Sequence, residues 1–206
     1  MFYVLLQMYP FEHVFYINLE HRTDRREQIE NELNKMELSY ERFPAIYTKG
    51  IGIHGCGLSH LSVLKMAKER NYSSVLIFED DFMFLMEKQT FQEEMKKIKN
   101  MDFDVCMLSY NLHESEDIGV PSLKKVIRAG TASGYIIRSH YYDVLIEVLS
   151  DAMPKLGDTN YHWLYANDVV WCPLQKRDNW YCIVPRVGIQ RPGYSDNTER
   201  YDDYGV

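Results

Sequence analysis

The chain has no C-x-x-C pair among its four cysteines, no run of about 20 apolar residues, and no internal repeat, low-complexity tract or Pro/Gly/Ser-rich linker. Each absence removes a class. Cys56, Cys106, Cys172 and Cys182 show no paired spacing, and Cys106 sits inside an apolar run as a small hydrophobe would, so reduced thiols are expected. No segment reads as a membrane-crossing helix. Residues 1–9 are apolar but carry neither a basic leader region nor a small-residue cleavage site, which makes a cytoplasmic protein the expectation. Positive charge is also scarce. With 23 Lys and Arg against 30 Asp and Glu, the formal charge is −7, which argues against a nucleic-acid partner, since phosphate backbones demand clustered cations.

What is present fits one packed domain: 206 residues, 46% hydrophobic and 26% charged. An acidic protein can still hold a nucleotide diphosphate if a divalent cation screens the phosphates from its own carboxylates. Apolar runs alternate with helical patterns through the first half, which is the α/β arrangement. Residues 13–19 read as a buried strand, followed by Ile29, Leu33 and Met36 at helical spacing. Asp24 and Glu27 have the spacing of a capping box, placing a helix N-terminus beside Arg22, Arg25 and Arg26. Residues 40–46 look extended, residues 50–57 form a glycine-rich connection, and a helix begins at Leu58. His54 falls in that connection. Later come a helix through Phe91, Met95 and Ile98, a strand at 105–108, extended stretches at 126–128 and 135–137, and a helix at 141–149. From Pro154 onward the pattern is less periodic and reads as loops and short elements that contribute to the site.

The chemistry concentrates where residues 75–78, a continuous apolar run of the kind buried on both faces of a sheet, stop at Glu79, Asp80 and Asp81. In open α/β sheets, ligands bind beyond the carboxyl ends of the strands. Divalent cations such as Mg2+ or Mn2+ prefer carboxylate oxygens and are commonly held by one or two of them plus substrate phosphates. Strand alternation would point Glu79 and Asp81 the same way and Asp80 elsewhere, so Asp81 is the expected direct metal ligand and Glu79 the second. An acidic turn solvated at a strand end is the plainer alternative for the tripeptide alone.

Four segments in order, FYINLEHRTDRRE, GCGLSH, VLIFEDD and TASGYIIRSHYYDVL, resemble glycosyltransferase family 25, which includes lipopolysaccharide galactosyltransferases and relatives of the collagen galactosyltransferases. The resemblance implies a single-domain α/β, GT-A type (Rossmann-like) fold with a mixed central sheet. Residues 13–110 would form the nucleotide-binding half and residues 111–206 the acceptor-side half. It further implies a UDP-sugar donor, UDP-galactose or UDP-glucose, Mn2+ or Mg2+, and transfer with inversion to a hydroxyl on a saccharide or protein. Compact members occur in bacteria and large viruses, which makes a cell-envelope or capsid glycan the expected product.

Carried onto this chain, the family's Y-I-N-L-x-x-R-x-x-R stretch falls on Tyr16 to Leu19, Arg22 and Arg25, so that Asn18, Leu19, Arg22 and Arg25 would line the nucleotide pocket, with Asp80 beside them. Ile17 and Leu19 also read as core. Ser59 and His60 would open a helix, Ser59 either capping it or meeting the donor, His60 more simply a buried structural histidine. Thr131, Ser133 and Gly134 would let backbone approach the donor sugar, unless they form a plain turn. Asn167 and Asp168 match the family's second acidic position. Asp168 is the expected base, with an N-cap or a salt bridge to Arg177 or Lys176 as its alternative and Glu114 and Glu116 in reserve. Gln190 and Ser195 match a late polar pair expected to return to the diphosphate or metal. A binding module that keeps a UDP-sugar without transferring it is the competing function, and Asp168 discriminates between the two.

Overall fold

A computed structural model describes residues 9–196, 200–203 and 205; residues 1–8, most of the stretch read above for a leader, lie outside it. An eight-stranded mixed sheet runs in the order β2-β1-β3-β8-β5-β9-β7-β6. Its strands are β1 (His13–Asn18), β2 (Glu41–Pro44), β3 (Ser74–Glu79), β5 (Val105–Met107), β6 (Asn111–Asp117), β7 (Leu123–Gly130), β8 (Gly134–Arg138) and β9 (Trp180–Ile183). β1 pairs in parallel with both β2 and β3, whereas β8 runs antiparallel between β3 and β5. Two short pairs complete the set: β4 (Phe82–Phe84) with β10 (Gly188–Gln190), and β11 (Gly193–Ser195) with β12 (Arg200–Asp202). This is the expected α/β architecture with a mixed central sheet.

The period of two in the central strands decides which helix covers which face. Val14 and Tyr16 of β1, with Leu76 and Phe78 of β3, point into one cluster with Ile29 and Leu33 of α1 (Thr23–Lys35) and Phe91, Met95 and Ile98 of α3 (Lys88–Lys99). Phe15, Ile17, Val75 and Ile77 point the other way, onto Leu61 and Leu64 of α2 (Gly52–Glu69) and Leu145 and Leu149 of α4 (Tyr142–Thr159). The sheet is therefore buried on both faces, as its unbroken apolar runs require. Among the described residues, no helix is long and apolar enough to cross a membrane.

Several elements depart from the sequence-based expectation. α2 starts at Gly52 rather than Leu58, so His54, Cys56 and the glycines lie within the helix. Glycine is poor in a helix interior, yet close approach demands it at Gly55, where a Cβ would lie 2.3 Å from the Ile46 carbonyl oxygen; at Gly57 the nearest atom is the Met153 Sδ, 2.3 Å away on a side chain that can shift. The capping box does not form. Arg22 is the N-cap of α1, without a side-chain cap bond. The Asp24 carboxylate is instead held by Arg22 through Nε at 2.9 Å and Nη2 at 2.8 Å. α4 continues through Pro154 to Thr159, because Ala152, Met153 and Leu156 are buried and packing outweighs the proline. Three short helices follow: α5 (His162–Tyr165), α6 (Asn167–Val170) and α7 (Cys172–Arg177). Glu114 and Glu116 lie on edge strand β6, with both residues exposed.

Gly55→Ala tests the close approach. The added methyl meets backbone rather than a yielding side chain, so destabilisation of about 1–3 kcal/mol is expected in denaturant unfolding. Unchanged stability would mean that α2 does not press on the loop after β2.

Candidate active site

β1 and β3 are adjacent, and their carboxyl ends open at the point where the strand order turns outward in both directions, the usual ligand crevice of such sheets. A cleft of about 310 Å³ lies there. The ends of β1 and β3 supply Ile17, Leu19, Glu79, Asp80 and Asp81, the loop before α2 supplies Ala45 to Thr48, and the late hairpins supply Gln190, Ser195 and Asp196. Arg25 enters from the first turn of α1 and Cys56 from α2.

The three acids do not alternate as a continuing strand would. β3 ends at Glu79, and Asp80 and Asp81 share one cation: Arg25 Nη1 lies 3.0 Å from Asp80 Oδ1 and 3.1 Å from Asp81 Oδ2. The close pair is thus Asp80 with Asp81, while Glu79 turns toward α2. Both aspartates are buried. Burial pushes both carboxyls up, and for Asp81 burial together with the charge of Glu79 raises the pKa to about 7 despite Arg25. Asp81 Oδ1 is buried and completes no hydrogen bond of ordinary geometry, although the Gln190 side chain is near enough to hold the Asp81 pKa lower than burial alone would set it. A buried acceptor left over beside two hard oxygen donors is what a divalent cation would satisfy.

Asn18 is buried and fully committed. Its amide nitrogen donates to Asp80 Oδ2 at 2.7 Å and to the Arg22 carbonyl at 3.0 Å, and its Oδ1 accepts from Arg42 Nε at 3.1 Å and Arg26 Nε at 3.4 Å. It orients Asp80 rather than presenting a free amide to a base or ribose. Arg22 pairs with Asp24 and Asp196, and both Arg22 Nη1 and Arg25 Nη2 donate to the Tyr194 carbonyl. The arginine turn therefore clasps the late hairpin over the acids. Gln190 and Ser195 line the cleft, but Ser59 does not. Ser59 is the eighth residue of α2, and its hydroxyl is used by the Gly55 carbonyl at 2.7 Å and the Ile46 N–H at 2.8 Å. It ties α2 to the loop before it, so Ser59 does not cap the helix and its hydroxyl is already used outside the cleft.

On the far wall, Glu79 Oε1 is 3.0 Å from His60 Nε2 and 3.3 Å from Cys56 Sγ. His60 is fully buried, and its Nδ1 lies 3.0 Å from the Tyr135 hydroxyl. Burial would raise the Glu79 pKa, but these hydrogen bonds outweigh it and the net shift is downward. Asp168, on α6, is half-buried and not among the cleft-lining residues. Its Oδ2 accepts the Thr131 N–H at 3.0 Å, and neither expected salt bridge forms because Arg177 pairs with Asp178. Thr131 has φ +72°, a left-handed conformation strained for a β-branched residue. Burial raises the Asp168 pKa, a shift in the direction useful to a base. Ser133 bonds Ser109, and Gly134 makes room for Phe82, so both serve packing.

Sequence reasoning did not find Cys56, Tyr47 or Asp196. Cys56 and His60 stand four apart, a spacing that signals one helix face only once residues 52–57 are known to be helical. Tyr47, exposed at the cleft mouth with its ring 6.1 Å from that of His21, carried no motif. Asp196 lies 174 residues from its partner Arg22.

A mixed α/β sheet with an acidic crevice at the carboxyl ends of its parallel strands sets the fold class, and similarity to known proteins sets the family. The profile described as "Glycosyltransferase family 25 (LPS biosynthesis protein)" matches residues 11–54 and 50–152, and the chain belongs to that family. It is 30% identical over 129 residues to "Procollagen galactosyltransferase 1-A" of Xenopus laevis, covering 48% of this chain and 21% of the relative. A "Glycosyltransferase 25 family member" of Drosophila pseudoobscura pseudoobscura is 30% identical over 100 residues, covering 35% and 16%. The chain thus spans about a fifth of the length of the curated relatives it matches. Among solved structures, a glycosyltransferase involved in the glycosylation of the major capsid of PBCV-1 aligns with TM-score 0.51 at 9% identity, over 89% of this chain and 93% of that one, a likeness of fold.

With its carboxyl pKa raised from 3.8 to about 7, Asp81 makes the folded, metal-free protein bind more protons than the unfolded chain between those values. Its contribution to stability therefore falls as pH rises through that window. Asp81→Asn is expected to flatten the metal-free stability curve between about pH 4 and 7 and to raise stability above pH 7. An identical pH profile in urea melts of the two proteins would refute the assignment.

Proposed function

We propose that this chain transfers a hexose, galactose or glucose, from a UDP-sugar to a hydroxyl on a saccharide or protein acceptor, with inversion. The observation that carries this reading is the buried Asp81 oxygen that completes no ordinary hydrogen bond, beside Asp80 in the cleft of a family 25 chain. Asp81 would be the direct ligand of Mn2+ or Mg2+, with Asp80 beside it and Glu79 adding negative charge from the opposite wall. When bound, the cation would neutralise charge on the leaving diphosphate. Arg25, now shared by the two aspartates, is placed to exchange that contact for phosphate oxygens, and Gln190 and Ser195 line the same space. Tyr47 offers an exposed ring at the mouth on which a base could stack.

In the reaction, an acceptor hydroxyl oxygen forms the new bond to the anomeric carbon as the bond from that carbon to the diphosphate oxygen breaks. The hydroxyl proton passes to Asp168, and UDP leaves. The galactosyltransferase name of the matched relative supports galactose, and its procollagen acceptor supports a protein-linked hydroxyl. A second reading, a UDP-sugar-binding module without transfer, is favoured by one observation: Asp168 is tied to Thr131 and does not line the cleft.

Asp81→Ala is expected to remove Mn2+-dependent UDP binding in calorimetry while circular dichroism stays unchanged; full affinity in the presence of Mn2+ would overturn the metal assignment. Asp168→Asn is expected to keep UDP-galactose binding and lower the acceptor-dependent release of UDP by about 10²-fold or more. Wild-type turnover in that variant would exclude Asp168 as base, and binding without turnover in the wild type, across saccharide and procollagen acceptors, would favour the module.

A further inference from the structure

Cys56 and His60 lie one helical turn apart on α2 and face the end of β3, where Glu79 meets both. One ligand atom from each of the three lies within 4.8 Å of the other two. The set is chemically unlike the aspartate pair next to it, since it offers sulfur, imidazole nitrogen and a single carboxylate rather than oxygen alone.

The geometry points to a zinc site at Cys56, His60 and Glu79, distinct from the oxygen-only seat at Asp80 and Asp81 and with its fourth position toward the cleft. Thiolate and imidazole select a borderline-soft ion, whereas Mn2+ and Mg2+ favour carboxylate and water. A tetrahedral site with bonds of about 2.0–2.3 Å has ligand–ligand edges of roughly 3.3–3.8 Å. The observed separations from Glu79 Oε1, 3.3 Å to sulfur and 3.0 Å to nitrogen, need to open by only a few tenths of an ångström. His60 is already oriented, because the buried Tyr135 hydroxyl engages its other ring nitrogen, the outer contact that fixes the ring of a metal-bound histidine. Cys56 and Glu79 both line the cleft, which gives the ion a way in.

A divalent cation bound there would displace the Cys56 proton to solvent and offset the charge of the neighbouring carboxylates. Bound there, the ion would pin α2 to the end of β3 and hold Glu79 on the far wall, leaving Asp80 and Asp81 to the donor.

The test uses the intact protein, stripped with chelator and titrated with Co2+ and then Zn2+. One equivalent of Co2+ is expected to produce a thiolate-to-cobalt charge-transfer band in the near ultraviolet, which Zn2+ removes. The band should vanish in Cys56→Ala, whose substitution of a half-buried residue is checked by circular dichroism, and should persist in Asp81→Asn. No band in the wild type, or a band that survives Cys56→Ala, overturns the site and leaves the three residues as a hydrogen-bonded triad. The readout needs neither donor nor acceptor, so its failure is separate from failure of the transferase reading, which loss of Mn2+-dependent UDP binding reports.

Discussion

Three carboxylates packed at the end of one buried strand set the terms for the surrounding structure. Taking an ionised carboxylate out of water costs several kcal/mol, and Glu79, Asp80 and Asp81 stand within reach of one another's fields. One guanidinium, from Arg25, serves two of them, the Asn18 amide serves Asp80, and His60 and Cys56 serve Glu79. The compensation is incomplete at Asp81, whose unsatisfied oxygen and raised pKa are two expressions of the same deficit.

The elements around the crevice follow from that deficit. Arg25 must sit at the start of α1 to reach both acids, and its second nitrogen, with Arg22, draws in the Tyr194 carbonyl and so the β11–β12 hairpin. β4 and β10 pair beside it, bringing Gln190 to the same rim. On the opposite side, α2 comes close enough to β3 for Cys56 and His60 to bond Glu79, while Gly55 lets the same helix press on the loop after β2. The cleft is therefore walled by two helices, α1 answering Asp80 and Asp81 through Arg25 and α2 answering Glu79.

The region beyond the acidic cleft is built differently. Asp168 is fixed by the backbone of Thr131, whose left-handed conformation stores strain next to the proposed base. The preceding segment leaves Tyr161, Trp163 and Leu164 exposed, with the Tyr161 and Trp163 rings stacked at 5.0 Å. The hydrogen-bonded acids lie buried in the cleft, whereas these rings face solvent.

What the sequence determined by itself was set by local periodicity and composition. The alternation of apolar runs with helical spacing fixed the α/β class. The stop of the β3 run at Glu79 fixed where the acids emerge, and the four ordered segments fixed the family, which the profile match bears out. What only the tertiary structure decided depended on contacts distant in sequence. Whether Asp80 or Glu79 would accompany Asp81 hinged on Arg25, 55 residues before Asp80. Asn18 and Ser59 proved to be internal fasteners because their partners come from other elements. The role of Cys56 was hidden because the glycines read as a loop until the Ile46 carbonyl is seen to press on Gly55. Periodicity reports what a residue does along its own element; burial, charge compensation and close approach are properties of pairs, and those pairs exist only once the chain has folded.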